Sequence, residues 1–339
     1  MSLTKEKLQQ IMTEPSEALI RDVAKLQGDL MILGAGGKVG PTMAIKARRA
    51  LTAAGSKARV IAVSLFDYAD APGAMRDAGV EVIEADISDP KQLAALPEAE
   101  NIIYMVGRKF GTTDSEYLTW HINVILPYLV AQRFPKSRIV SFSTGNVYGT
   151  IPVTSGGFCE DDLPQPIGEY GQTCLGRERV LESCSRKNGT PMLMFRLNYA
   201  IDMRYGVLYD IANAIYHDRP VDVSQGVFNC LWQGDVCEYA IRSLLHTSTP
   251  PQLLNVSSPE SYSIRWAAKE LGKRLGKEPI FTGVEGDRSL FLNCQKMVQH
   301  FGHPSKGVLE MMDLVVDWIK LGGETITAPT HFENTDGKF

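Results

Sequence analysis

No run in this chain approaches the 18 apolar residues that a membrane-spanning helix needs, and the N-terminus lacks the apolar core of a signal peptide. Lys/Arg clusters are missing too, and the net charge is −4, so no basic field offers itself to a phosphate backbone and nucleic acid is excluded as a partner. The six cysteines, at 159, 174, 184, 230, 237 and 294, form no Cys-x-x-Cys pair and have no zinc-type His spacing. They read as reduced thiols of a cytoplasmic protein, with no metal site.

What remains is 339 residues, 44% hydrophobic and 22% charged, which suits a globular protein of one large or two intimately joined domains. Residues 4 to 27 carry Leu8, Ile11, Met12, Leu19, Ile20, Val23 and Leu26 at helical spacing, broken by Glu14-Pro15-Ser16. This predicts two helices ahead of the first strand.

From there short β-branched runs alternate with amphipathic stretches. Strands are predicted at Leu30 to Leu33, Arg59 to Ser64, Glu81 to Glu84, Asn101 to Val106 and Arg138 to Ser143. Helices are predicted at Val39 to Ala54, Ala71 to Ala78 and Glu116 to Arg133. Strands of this kind between helices argue a parallel sheet covered on both faces, a doubly wound α/β fold of Rossmann type. Past residue 198 prolines punctuate the pattern, and helices are expected at 207–217, 234–246, 264–275, 295–301 and 309–321. The predicted organisation is an N-terminal helical extension over 1–28, a dinucleotide-binding domain over 29–198 and a mainly C-terminal substrate-binding region over 199–329, some of whose segments return to the sheet. A polar, frayed tail is expected over 330–339.

Gly34-Ala35-Gly36-Gly37-Lys38-Val39-Gly40 follows the first strand and opens a helix. In that context the glycines let the backbone turn and approach a pyrophosphate, and the helix N-terminus faces the anion. Asp86-Ile87, after the third strand, offers a carboxylate to an adenine amino group. The second strand ends on Ser64 where an acid would bind the ribose hydroxyls of NAD. Asp67 could still reach that ribose, whereas Ser64 with Lys38 could hold a 2′-phosphate. NAD is favoured and NADP stays open.

With Asn123, Ser143-Thr144-Gly145-Asn146-Val147-Tyr148-Gly149, Tyr170-Gly171, Arg196-Leu197-Asn198-Tyr199 and Asp235-Val236 added, residues 29 to 320 resemble the extended short-chain dehydrogenase/reductases, the NAD-dependent epimerase/dehydratase group. The resemblance implies that Thr144 orients a substrate hydroxyl or carbonyl and that Tyr170 is the general acid or base. Asn123 would support a proton-relay water or merely bond its own helix. It also implies a homodimer built on a four-helix bundle, to which Leu118, Ile122, Ile125 and Leu129 would contribute. Gly145-Asn146 replaces the Asp-Glu pair of the dehydratases, which leaves oxidoreduction or epimerisation of a sugar, sugar derivative or polyol.

The departure is Cys174, where the family's Tyr-x-x-x-Lys pattern has its lysine. A unit charge ~6 Å away at an effective dielectric of ~20 is worth about 2.8 kcal/mol, or roughly two pKa units of phenolate stabilisation. Cys174 does not supply it. Arg108 and Lys109, in the loop after the fourth strand, are candidate substitutes, whereas Arg177, nearly two turns beyond Tyr170, reads as a solvated surface residue. Cys174 itself reads as a packing residue, or as a reactive thiol if a cation lowers its pKa. Arg196, Arg265 and Arg288 are candidates for a substrate anion. The alternative to an enzyme is a catalytically weak or inactive dinucleotide-binding sensor or partner subunit.

Overall fold

The computed structural model describes residues 4–66, 71–111, 114–326, 330–333 and 337. Seven parallel strands form the central sheet: β1 (Leu30–Leu33), β2 (Val60–Ser64), β3 (Glu81–Glu84), β4 (Asn101–Tyr104), β5 (Arg138–Thr144), β6 (Met192–Leu197) and β7 (Gln252–Val256). Their order is β7-β6-β5-β4-β1-β2-β3. The strand order reverses between β1 and β4, which opens a crevice at the carboxyl ends of these two parallel strands, where such sheets bind ligands. β1, β4 and most of β2 are buried along their length, as strands covered on both faces must be.

Two helices precede the sheet, α1 (Lys5–Thr13) and α2 (Glu17–Val23), separated at Pro15 as the break in the pattern predicts. Ser16 caps α2 by accepting from Leu19 N at 3.0 Å. These helices pack on α3 (Gly40–Ala53) and α10 (Gln233–Arg242). Buried Leu19 and Val23 supply the apolar part of that contact, roughly 1.5–3 kcal/mol each. Polar ties complete it: Arg49 donates to Thr13 Oγ1 at 2.6 Å, Arg242 to Asp22 at 2.8 Å, and Ser16 bonds Glu238.

Helices α4 (Ala71–Asp77), α5 (Pro90–Ala95), α6 (Glu116–Trp120), α7 (Leu126–Arg133) and α8 (Gly168–Asn188) complete the wrapping. Between α6 and α7 the helix widens into a π turn at His121–Ile125, packed against α8. The C-terminal part contributes α9 (Val207–Tyr216), α10, α11 (Ile264–Leu275), α12 (Gln295–Phe301) and α13 (Val308–Lys320), and builds a second core around Ile211, Phe228, Leu271 and Met312. Two sheet strands, β6 and β7, were not read from the pattern, and β7 lies inside the segment assigned to the C-terminal region. The described residues of the tail also differ from a frayed end. Thr330 and Phe332 are buried, tied to Asp210 and to the second core respectively.

Candidate active site

The glycine loop starts where β1 leaves the sheet. Gly34 has φ +89°, and a Cβ there would also lie 2.9 Å from Val106 N, so both conformation and space require glycine. At Gly40 a Cβ would stand 2.2 Å from Ala35 O, which is how closely α3 approaches the loop. Gly36 abuts the Ser64 hydroxyl, while Gly37 is exposed, and among the described residues a methyl group there would come no closer to another atom than 3.6 Å, from Gly34 O. Val39 stands at the N-cap of α3, so the positive end of that helix opens on the same side.

Lys38 extends from this loop with its ammonium 3.5 Å from the Tyr205 ring centre and 5.4 Å from that of Phe110. Burial, followed by repulsion from Lys109, pushes it down to about 8. Asp86 turns its carboxylate onto its own loop, accepting from Ser88 N at 2.9 Å and Ser88 Oγ at 2.6 Å. Ile87 is buried in the core beneath. Asp67 lies outside the described residues.

Beside the loop a cavity of about 260 Å³ is lined by Lys38, Lys109, Thr144, Tyr170, Arg177 and Tyr199, among others. Thr144 ends β5, and its hydroxyl accepts from Asn146 Nδ2 at 2.9 Å and from Asn146 N at 3.2 Å. Tyr170 sits in the first turn of α8 and is hydrogen-bonded to Thr144. Burial pushes its phenol far above the ordinary value of 10, and the Cys174 sulfur adds to that rise. The Arg177 charge and the Thr144 hydrogen bond act in the other direction.

Cys174 is 1% exposed, and burial pushes its thiol up, the opposite of what an activated thiolate needs. Asn123, in the π turn, accepts from Arg108 N at 2.8 Å and donates to Arg108 O and Thr173 Oγ1, each at 2.9 Å. Both of its amide hydrogens are therefore taken by protein atoms. The residue joins the loop after β4 to α8.

Arg177 departs from the surface role read from its position. It is buried, donating from Nε to Asn123 O at 3.2 Å, from Nη1 to Phe142 O at 2.8 Å and from Nη2 to Asn123 Oδ1 at 2.9 Å. A helical side chain leans toward the N-terminus of its helix, so the guanidinium lies a turn closer to Tyr170 than its Cα does. Counting Cα positions misses this.

Of the two loop cations, Lys109 enters the cavity and Arg108 turns away. Arg108 Nη2 donates to Gly111 O at 2.6 Å and Ser115 Oγ at 2.9 Å. Lys109 places its ammonium 5.9 Å from the Tyr170 ring centre and 3.2 Å from Thr330 O. Burial holds it at about 8, with Cys174, Asp210 and Glu333 pulling the other way. Thr330 is itself anchored, since its N and Oγ1 both donate to Asp210 Oδ2, at 2.8 and 2.5 Å. Thr330 and Tyr205 carried no local signal in the sequence.

None of the three arginines read as anion binders lines the cavity. Arg196 is 1% exposed and bonded to Glu178 at 2.9 and 2.7 Å. Arg265 pairs with Glu285 at 3.0 Å, and Arg288 donates to Thr150 O at 2.6 Å.

Residues 30–201, just over half of the chain, match the model of the NAD dependent epimerase/dehydratase family. The chain belongs to that family. No curated protein matches it significantly. Solved structures of epimerases share its fold at low identity. UDP-glucose 4-epimerase of Thermotoga maritima, with UDP-glucose, superimposes with a TM-score of 0.71 at 18% identity, over 87% of this chain and 99% of that one. The Thermus thermophilus UDP-glucose 4-epimerase with NAD gives 0.70 at 17%, over 86% and 99%. UDP-glucuronic acid 4-epimerase of Bacillus cereus with NAD gives 0.70 at 18%, over 86% and 99%.

Proposed function

We propose that this member of the epimerase/dehydratase family binds NAD along the glycine loop and oxidises or epimerises a sugar, sugar derivative or polyol, with Thr144 orienting the reacting oxygen and Tyr170 moving its proton. The observation that carries the reading is the Thr144–Tyr170 pair, hydrogen-bonded to each other beside the cavity that opens at Lys38 and Val39.

The residues present fit a dinucleotide. Gly37 leaves room at the N-terminus of α3 for a diphosphate, and Lys38 and Lys109 set two cations around the Phe110 ring, 5.4 and 5.3 Å from its centre. Gly34, Gly36, Gly37, Lys38, Val39 and Gly40 would hold the diphosphate, with Ser64, Asp86 and Ile87 on the adenosine side. NAD, when bound, would accept a hydride from a carbinol carbon and return it.

The chain's own part is the proton. Thr144 holds the carbinol oxygen at the end of β5, and Tyr170, hydrogen-bonded to it, takes the hydroxyl proton as the carbonyl forms and gives it back on reduction. The UDP-sugar epimerases that share the fold support a sugar nucleotide as substrate. Six free thiols suit a cytoplasmic setting. A second copy would cover the exposed stripe Tyr117, Trp120, Ile125 and Tyr128, of which Ile125 alone is among the four residues named from the sequence.

The test is calorimetry with NAD and with NADP, followed by turnover on UDP-glucose, UDP-glucuronic acid and a polyol panel. Tight NAD binding with turnover that Tyr170→Phe abolishes is the expected result. The strong upward push on the Tyr170 phenol favours a second reading, a dinucleotide sensor, which NAD binding without turnover on any of these substrates would establish.

A further inference from the structure

Arg177 carries a charge that the fold does not neutralise. All three of its hydrogen bonds run to neutral oxygens, those of Asn123 and Phe142, and no carboxylate of the described residues lies within 4.0 Å of it. A buried guanidinium without an anion is costly. Three titratable groups lie within reach of its field: Tyr170, Cys174 and Tyr104, whose ring centre is 5.7 Å from the guanidinium carbon.

We propose that Arg177 is the cation that stabilises the Tyr170 phenolate, reaching back along α8 to the level of Cys174, whose small side chain leaves the space it needs. The inference rests on Tyr170 as the proton carrier. It assigns Arg177 as a positioning and electrostatic residue, held in place by Asn123 from the π turn. The groups facing the phenol include Cys174 and Arg177 from its own helix, Thr144 from β5 and Lys109 from the loop after β4. Lys109 is the weaker support, because it sheds its proton near pH 8 while a guanidinium keeps its charge.

The test needs no turnover, so it separates this inference from the proposed function. Protein labelled with ¹³C at tyrosine Cζ and saturated with NAD is titrated by NMR, with the Tyr170 line assigned by Tyr170→Phe. The Tyr170 line should begin to move toward the phenolate position within the range where the wild type stays folded. Arg177→Met should raise its midpoint by about two pH units, Arg177→Lys by less, and Lys109→Met by less than Arg177→Met. Coincident midpoints for wild type and Arg177→Met, or a larger shift from Lys109→Met, overturn the proposal. Should Arg177→Met fail to fold, Arg177→Gln, which removes the charge but keeps hydrogen-bond donors toward Asn123 and Phe142, answers the same question by the same midpoint: a raised midpoint supports the proposal and one equal to the wild type overturns it.

Discussion

Arg177 and Arg196 are both buried against α8, yet they are compensated in opposite ways. Arg196 makes two short bonds to the Glu178 carboxylate, which also accepts from Ser143 at 2.6 Å, and its remaining nitrogen meets the Tyr148 hydroxyl. Arg177, one residue before that glutamate, has only neutral acceptors. Successive residues on a helix point about 100° apart, so Glu178 faces Arg196 and Ser143 while Arg177 faces Asn123 and the cavity. One arginine closes a structural network. The other leaves positive potential where a phenol must ionise.

Four variants break or sharpen this contrast. Tyr170→Phe removes the group that Arg177 serves and should cost about 10²–10⁴ in turnover, with Tm almost unchanged. Glu178→Gln strips Arg196 of its counter-charge and should destabilise the fold by about 3–5 kcal/mol, read by denaturant unfolding. Glu178→Leu with Arg196→Met removes both charges and should cost less than Glu178→Gln alone, as apolar replacement of a whole buried pair often does. If the double variant is the less stable one, the pair is more than a structural clamp.

The smallest effect concerns Lys109, whose folded-state pKa lies near 8 against an ordinary 10.5. Between these values the unfolded chain binds more protons, so its contribution to stability rises with pH, and below pH 8 its buried charge is a full penalty. Lys109→Met should therefore raise Tm more at pH 7 than at pH 10.5. An equal shift at both would mean that the ammonium is not strained by burial.

The alternation that betrays the sheet is local, so β1 to β5 and α3 were legible within a residue or two at most ends. β6 and β7 were not. β6 carries Arg196 one residue before its end, which disguises a buried strand, and β7 pairs with it across more than fifty residues. Thr144 and Tyr170 were found by spacing within motifs, and the structure brings them together. Arg177 was misread because a linear count places its Cα two turns away, whereas its long side chain returns one of them. The buried part of the tail had no local signal at all, since Thr330 depends on Asp210, 120 residues earlier.

The most direct test of a cation delivered from position 177 is to move it. In the double variant Cys174→Lys, Arg177→Met, labelled and saturated with NAD, the Tyr170 midpoint should return from its raised value in Arg177→Met to near that of the wild type. A midpoint that stays where Arg177→Met leaves it would contradict the account, because a positive charge beside Tyr170 would then not be what sets its ionisation.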